Sequence, residues 1–180
     1  MHRSKLLTLL QAYNPTDHEE IEAKQRMILF VEQNADCFQR SLAIGHMTAS
    51  AWLESKDGSK ALLMHHNKLN IWCQLGGHCD GDCDILAVAL KEAQEESGIE
   101  NVAAISTEIF DIDIHFIPEN SREKGHYHYD VRFLLRVTSN EEFVGNSESK
   151  ELRWVGKDRS LLPTDSRSVV RMFDKWVQRG

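Results

Sequence analysis

Three glutamates, Glu92, Glu95 and Glu96, stand close together in the stretch LKEAQEESGIE. On an α-helix, residues three and four positions apart share one side of the surface, so the three carboxylates converge. A solvated helix face, the common fate of such acids, usually interleaves lysines at i+4 spacing. Carboxylate oxygens are also the ligands that Mg²⁺ prefers in proteins. We therefore expect the three glutamates to hold a divalent cation, Mg²⁺ or Mn²⁺.

Histidines make up a second group with metal-ligand chemistry. The chain has nine, and His78 directly follows two glycines just before the glutamate stretch. His126 and His128 are two residues apart in an alternating run, so their side chains fall on one face of a strand, with Asp130 next in the same row. His78, His126 and His128 are therefore predicted to form a second metal site or a phosphate-binding wall. The alternative is that they are hydrogen-bonded structural histidines.

The four cysteines, Cys37, Cys73, Cys79 and Cys83, contain no C-x-x-C pair and are too sparse for a disulfide scaffold. Reduced thiols and a cytoplasmic location are expected. A zinc site that uses Cys79 and Cys83 is the alternative. The apolar run near the amino terminus is too short for a signal peptide, and no stretch has transmembrane length, so no membrane partner is expected.

Net charge narrows the range of partners. Lys plus Arg number 21 against 28 Asp plus Glu, which gives a formal net charge of −7. A surface built to neutralise a nucleic-acid backbone is basic, so a nucleic-acid polymer is not an expected partner. An acidic protein that handles a phosphate-bearing small molecule needs a metal ion between the two, in agreement with the glutamate cluster.

The glutamates need a helix to position them. Apolar residues recur at helical spacing from Ile85 to Ser97, Asp84 is suited to cap the amino end, and Gly98 is suited to the carboxyl end. The side chains expected to face the core are Leu86, Ala89, Leu90 and Ala93. The glutamates lie on an arc beside that face.

Strands are expected in three short runs of strand length and in three later segments where branched and aromatic residues alternate with polar ones. These segments are HMTASAWLE, KALLMHH, LNIWCQL, AAISTEIFDIDIHFI, HYHYDVRFLLRV and KELRWV. The first two form a hairpin because the turn signal SKDGSK separates them. Strands mixed with few helices predict an α/β layered sandwich.

Helices are expected at both ends of the chain. Residues 4–13 and 17–34 have helical spacing and form a hairpin, with Thr16 or Asp17 starting the second helix. A last helix is expected over 166–178. We expect residues 1–40 to form a helical extension and residues 41–180 to form the main domain. The extension is equally able to pack across a homodimer.

From Gly77 to Ile99 the chain resembles the Nudix box, G-x5-E-x7-R-E-U-x-E-E-x-G-U, in which U is a bulky aliphatic residue. The residues that match are Gly77, Glu92, Glu95, Glu96, Gly98 and Ile99. Three positions depart from the pattern: Cys83 replaces the first glutamate, Lys91 replaces the arginine, and Ala93 is small. Lys91 is expected to reach Asp82 or Asp84, which keeps a charge pair without the bidentate fork of arginine. The segments around the box also resemble MutT-type Nudix proteins of a bacterial subgroup, over roughly residues 41–178.

The resemblance implies an α/β/α sandwich with a mixed sheet and a metal-dependent pyrophosphohydrolase activity. The substrate implied is a small molecule, a nucleoside diphosphate linked to another group. Glu92, Glu95 and Glu96 are the implied catalytic residues, and with a backbone carbonyl of Gly76 or Gly77 they are the implied ligands of Mg²⁺ or Mn²⁺. The general base is a box glutamate or an acid outside the box.

Residues outside the box offer further expectations. Glu148 and Glu151 are candidates for the general base. Trp72, Phe116, Tyr127 and Tyr129 either stack on a nucleobase or belong to the core. The sequence assigns no substrate-binding residue and does not distinguish ADP-ribose, dinucleotide polyphosphates, oxidised nucleoside triphosphates or nucleotide sugars.

Two other functions fit the same residues. Isopentenyl-diphosphate isomerases share the fold and bind a metal through histidines, one of which follows a glycine in this loop, as His78 does. An isomerase acting on a small diphosphate is therefore one alternative. A binding module that recognises a nucleotide without cleaving it is the other, motivated by Cys83 and Lys91 in the box.

Overall fold

The computed structural model describes residues 2–119 and 124–179. The helices are α1 (Ser4–Ala12), α2 (His18–Gln33), α3 (Ile85–Ser97) and α4 (Arg167–Gln178), with a short 3-10 helix at Arg159–Leu161. The strands are β1 (Gly45–Glu54), β2 (Lys60–His66), β3 (Trp72–Cys73), β4 (Leu75–His78), β5 (Val102–Ala104), β6 (Asp111–Ile117), β7 (His126–Val137) and β8 (Ser149–Gly156). Within the described ranges, no helix combines the length and the apolar character that crossing a bilayer requires.

The sheet is mixed, as expected, and β1 is its centre. Strand β1 runs parallel to β7 along its whole length and antiparallel to β2 and β4. Strand β7 also pairs antiparallel with β5 and β6, while β2 pairs antiparallel with β3 and β8. The parallel β1–β7 pair therefore joins residues about eighty positions apart in the chain.

Alternation along β1 assigns each residue to one face of the sheet. Met47 and Ala49 belong to the main core, which helices α1, α2 and α3 cover. Trp52 belongs to the opposite face and packs with Trp176 of α4. Helices on both faces confirm the expected α/β/α sandwich. Closer to the amino end of β1 the second face is polar, and a cleft opens there.

The amino-terminal helical hairpin is confirmed. Asp17 caps α2 because its side chain accepts the N–H groups of Glu19 and Glu20. Leu10 of α1 and Met27 of α2 are fully buried in the main core. The division of the chain into residues 1–40 and 41–180 stays a prediction.

Two expected strands are each divided in the structure. LNIWCQL contributes β3 and β4 on either side of Gln74. AAISTEIFDIDIHFI contributes β5 and β6, which pair with opposite ends of β7. Between them the chain leaves the ladder in a turn, where Ser106 Oγ accepts the N–H of Glu108 at 3.1 Å.

Helix α3 has the expected bounds and a slightly different core face. Asp84 accepts the N–H of Ala87, and Gly98 ends the helix with a φ of 72°, a left-handed conformation that favours glycine. The buried apolar residues are Ile85, Val88, Ala89 and Ala93. Leu86 and Leu90, which were expected on the core face, are only partly buried at its margin.

Candidate active site

Glycines let helix α3 approach the sheet closely. The backbone N–H of Gly76 donates a hydrogen bond to Glu96 Oε2 at 2.7 Å. A Cβ at Gly77 would overlap the Glu92 carboxylate. The absence of a side chain at Gly77 therefore leaves room for the Glu92 carboxylate. A Cβ at Gly76 would instead meet Ser50 and the Ala49 carbonyl of β1.

The three box glutamates occupy different environments. Glu96 is buried at 3% exposure, the Glu92 side chain is 16% exposed, and the Glu95 side chain is 57% exposed. Burial raises the pKa of Glu96 to about 8, and the charges of Glu92 and Glu148 act in the same direction. Burial also raises the pKa of Glu92. A cation beside these carboxylates would offset both the desolvation and the mutual repulsion.

Carboxylate oxygens at these three positions are a donor set suited to Mg²⁺ or Mn²⁺. Within the described residues, Glu96 has no lysine or arginine partner. The assignment of Gly77, Glu92, Glu95 and Glu96 as metal ligands, and of the glutamates as catalytic, stays a prediction.

A cleft of about 550 Å³ lies beside the glutamates, within the size range of small-molecule sites. Gly76, Gly77 and Glu92 line one side of it. The other lining residues are mostly polar and include Arg40, Ser50, His66, Trp72, Gln74, His78, Asp113, His115, His128, Asp130, Arg132, Glu148 and Ser168. Glu92 therefore faces a space large enough for a nucleotide-sized ligand.

The two candidate bases are in different surroundings. Glu148 lines the cleft, and its charge acts on the pKa values of both Glu92 and Glu96. Glu151 instead accepts two hydrogen bonds from Arg153, at 2.6 and 2.9 Å. Of the two, only Glu148 is near the box glutamates.

Of the four aromatic candidates for base stacking, one lies in the cleft. Trp72 lines it, with Arg153 above the ring at 4.6 Å from the centroid. Tyr129 stacks on Phe30 of α2 with centroids 3.8 Å apart, because odd-numbered residues of β7 point to the helical layer. Phe116 and Tyr127 pack against each other on that same side. A stacking role in the cleft is therefore wrong for these three.

The expected ion pair of Lys91 is corrected by the structure. Lys91 does not reach Asp82 or Asp84; it lies 3.5 Å from Glu92 and 3.6 Å from Glu95 along its own helix. Asp84 pairs instead with Lys5 of α1, whose Nζ lies 2.7 Å from a carboxylate oxygen of Asp84.

All four cysteines are free thiols. Among the described residues, the cluster suited to a metal ion consists of histidines and includes neither Cys79 nor Cys83.

The structure brings the three predicted histidines together. His128 Nε2 lies 3.2 Å from His78 Nε2 and 3.2 Å from His126 Nε2. His46 joins them beneath the cleft, with its ring centroid 4.9 Å from that of His128. Burial lowers the pKa of His128 to about 2 and that of His46 to about 4, and neighbouring histidines act in the same direction. Asp130, next in the row, accepts from Thr48, Ser50 and Arg132 instead.

His46 was missed by sequence reasoning. It opens the run HMTASAWLE, which has the pattern of an ordinary core strand. Its partner His128 is brought beside it by the parallel register of β1 and β7. A signal existed only in the pairing of the two strands, and periodicity within one strand does not reveal it.

Comparisons with known proteins agree with this geometry. The family model of the NUDIX domain matches residues 45–176. The curated proteins contain no match. Among solved structures, an Ap4A hydrolase from C. elegans superposes with a TM-score of 0.59 at 16% identity, covering 74% of this chain and 96% of that one.

Two other solved structures are similar in fold. A NUDIX-family hydrolase from Clostridium perfringens has a TM-score of 0.56 at 24% identity, and the match covers 75% of this chain and 98% of that chain. An ADP-ribose pyrophosphatase from Streptococcus suis has a TM-score of 0.52 at 24% identity, with 74% and 90% covered. Likeness at these identities supports the sandwich fold alone.

Proposed function

The chain belongs to the NUDIX family and is a pyrophosphohydrolase of that family, and we propose that it cleaves, with Mg²⁺ or Mn²⁺, a nucleoside diphosphate linked to a second group. The observation that carries the proposal is a pair of carboxylates, buried Glu96 and partly buried Glu92, that contacts two glycines at the edge of a nucleotide-sized cleft.

The residues fit a hard divalent cation. Glu92, Glu95 and Glu96 would hold it with the carbonyl of Gly77, and Gly76 would keep Glu96 in place through its N–H. When bound, the cation neutralises the pyrophosphate and lowers the pKa of the attacking water. The buried position of Glu96 excludes water from one side of this set.

We assign the general base to Glu148. The attacking water gives its proton to a carboxylate as its oxygen bonds to phosphorus, and the P–O bond to the departing phosphate group breaks. Glu148 lines the cleft. Arg153 donates its hydrogen bonds to Glu151 and leaves the Glu148 carboxylate available. Glu148→Gln should lower kcat by about 100-fold or more, while Glu151→Gln should leave it nearly unchanged.

The substrate class is supported by the cleft itself. Trp72 lines the cleft, where an indole ring is suited to pack against a nucleobase, and it also contacts Arg153 and His65, whose ring centroid lies 5.1 Å away. The similar solved structures include an Ap4A hydrolase and an ADP-ribose pyrophosphatase, so dinucleotide polyphosphates and ADP-ribose are the first substrates to test.

The test is release of phosphate and nucleotide from a panel of nucleoside diphosphate derivatives, with Mg²⁺, with Mn²⁺ and with chelator. We expect cleavage of at least one member that chelator abolishes. Glu92→Gln and Glu96→Gln should each reduce it by about 100-fold or more, because each removes a charged oxygen ligand. Glu100→Gln, an exposed acid just beyond the helix, is the matched control and should keep full activity.

Cleavage that survives chelator, or full activity in the Glu92 and Glu96 variants, would remove the box from the mechanism. Ligand binding without cleavage in excess Mg²⁺ and Mn²⁺ would identify a binding module. Cys83→Glu with Lys91→Arg should then restore activity, because these changes complete the box.

A diphosphate isomerase is the second candidate, favoured by the contact of His78 with His128. It predicts a rearranged substrate with no phosphate released, and His78→Ala as the damaging change. We also propose that the protein belongs to the bacterial MutT-type subgroup and that it forms a homodimer. A cytoplasmic location is proposed too, and the free cysteines support it.

A further inference from the structure

Three strands bring histidines to one face of the sheet. His46 of β1 pairs in register with His128 of β7. His78 of β4 pairs with Thr48 of β1, two residues beyond His46 and on the same face. The ligand nitrogens of His46, His78 and His128 lie within 4.8 Å of one another. These three histidines and His126 are here called the histidine cluster.

Two nitrogen–nitrogen distances in the cluster are compatible with a metal site. His128 Nε2 is 3.2 Å from both His78 Nε2 and His126 Nε2. In tetrahedral zinc sites with Zn–N bonds of about 2.0–2.1 Å, two nitrogens on the same ion are roughly 3.3–3.4 Å apart. The His78–His128 pair therefore already has the spacing of nitrogens that share one ion, and the ligand nitrogen of His46, within 4.8 Å of both, would have to move closer on binding.

The tautomer of His126 places a lone pair inside the cluster. His126 Nδ1 lies 2.8 Å from the carbonyl oxygen of Lys124, so this nitrogen must be the donor. In the neutral ring, His126 Nε2 is then a lone pair that faces His128 Nε2. One proton on His128 Nε2 cannot make full hydrogen bonds to both neighbours. A cation would accept lone pairs from several of these nitrogens at once.

His46 supplies an independent observation. Its side chain is 3% exposed, and among the described residues neither ring nitrogen has a hydrogen-bond partner. A buried polar group without a partner costs about 1–3 kcal/mol. The ring lies 5.0 Å from His78, 4.9 Å from His126 and 4.9 Å from His128 between centroids, so its nitrogens are within the cluster.

We propose that His46, His78 and His128, flanked by His126, bind a divalent transition metal of the Zn²⁺ class at the wall of the cleft. Imidazole nitrogens favour such ions, whereas the box glutamates favour Mg²⁺. The open coordination position faces the cleft, because His78 and His128 line it and His46 lies beneath. A water or a phosphate oxygen fits there. This site does not depend on the hydrolytic function proposed above.

The test uses the full chain, freed of metal by chelator and titrated with Co²⁺ alone. We expect one equivalent to bind with the visible absorption of a tetrahedral imidazole site, and Zn²⁺ to displace it while excess Mg²⁺ does not. X-ray absorption at the zinc edge of the loaded wild-type protein should show at least three imidazole nitrogens at about 2.0–2.1 Å.

Variants locate the site. His46→Gln and His128→Gln should each weaken Co²⁺ binding by about 100-fold or more, because each removes a ligand. His18→Gln, a histidine whose side chain is 82% exposed on α2, and Glu92→Gln should leave the spectrum unchanged.

Oxygen-only coordination, no binding of Co²⁺ or Zn²⁺, or loss of the site in Glu92→Gln would overturn the proposal. The wild-type absorption data decide the matter if a histidine variant does not fold.

Discussion

Two groups of buried acids in this molecule have opposite surroundings. Asp111 at the start of β6 is fully buried and accepts hydrogen bonds from Arg132, Arg171 and Lys175. Glu96 on α3 is nearly as buried but accepts one backbone N–H, and no cationic side chain within the described residues pairs with it. Burial alone would raise both pKa values, yet the three cations hold the pKa of Asp111 below its usual range while that of Glu96 rises to about 8.

The difference separates structural charge from charge reserved for a ligand. The Asp111 group joins Glu20 of α2 and Arg171 and Lys175 of α4 to the sheet, and so connects the amino-terminal hairpin to the last helix. The charge of Asp111 is compensated within the chain. The charge of Glu96 is not, which is the condition that an exogenous cation would relieve.

The largest expected effect comes from breaking the compensated group. Arg171→Met leaves Asp111 with two cations and removes two hydrogen bonds to its carboxylate, so the free energy of unfolding should fall by about 3–5 kcal/mol. Urea denaturation measures this. Arg167→Met, at a side chain 71% exposed beside Glu19, is the control and should cost less than about 1 kcal/mol. Equal losses of stability in the two variants would mean that the buried Asp111 group contributes no more than a surface ion pair.

Metal binding at the box glutamates should stabilise the folded protein. For metal-free protein, Mn²⁺ at one hundred times its Kd should raise the free energy of unfolding by about 2.7 kcal/mol. Glu96→Gln should lose this increment, and Arg171→Met should keep it. Calorimetric melting with and without Mn²⁺ gives the answer. An increment preserved in Glu96→Gln would place the cation elsewhere.

Stability should also depend on pH through Glu96. Its pKa is raised in the folded state from the usual 4.5 to about 8, so between these values the folded chain binds more protons than the unfolded chain. The contribution of Glu96 is present at low pH and is lost as pH rises toward 8, by up to about 1.4 kcal/mol per pH unit. In chelator, Glu96→Gln should flatten this part of the profile, and Glu100→Gln should not. A parallel profile in Glu96→Gln would contradict the assignment.

The smallest expected effect is at Lys91. Its side chain is 60% exposed, so Lys91→Ala should change the free energy of unfolding by no more than about 1 kcal/mol. The same change removes a positive charge 3.5 Å from Glu92, and Mg²⁺ affinity at low salt should rise modestly. A Mg²⁺ titration tests this, and a fall in affinity would mean that Lys91 positions the carboxylates instead.

The local sequence pattern was sufficient to predict the helix that carries the Nudix box. Helix α3 has the bounds expected from apolar spacing and from the caps Asp84 and Gly98, because these signals act within one or two turns. The same holds for β2 and β7, whose runs of apolar, branched and aromatic residues contain neither glycine nor proline. The division of AAISTEIFDIDIHFI into β5 and β6 was not predictable, since it depends on which parts of β7 they join.

The sequence by itself determined that three glutamates lie on one helix beside two glycines, because helical periodicity is a local property. Tertiary structure alone decided that Glu96 is buried while Glu95 is exposed, that Glu148 rather than Glu151 reaches the cleft, and that His46 joins His78 and His128. These outcomes depend on strand register and on how α3 is rotated against β4, which are set by contacts between residues far apart in the chain.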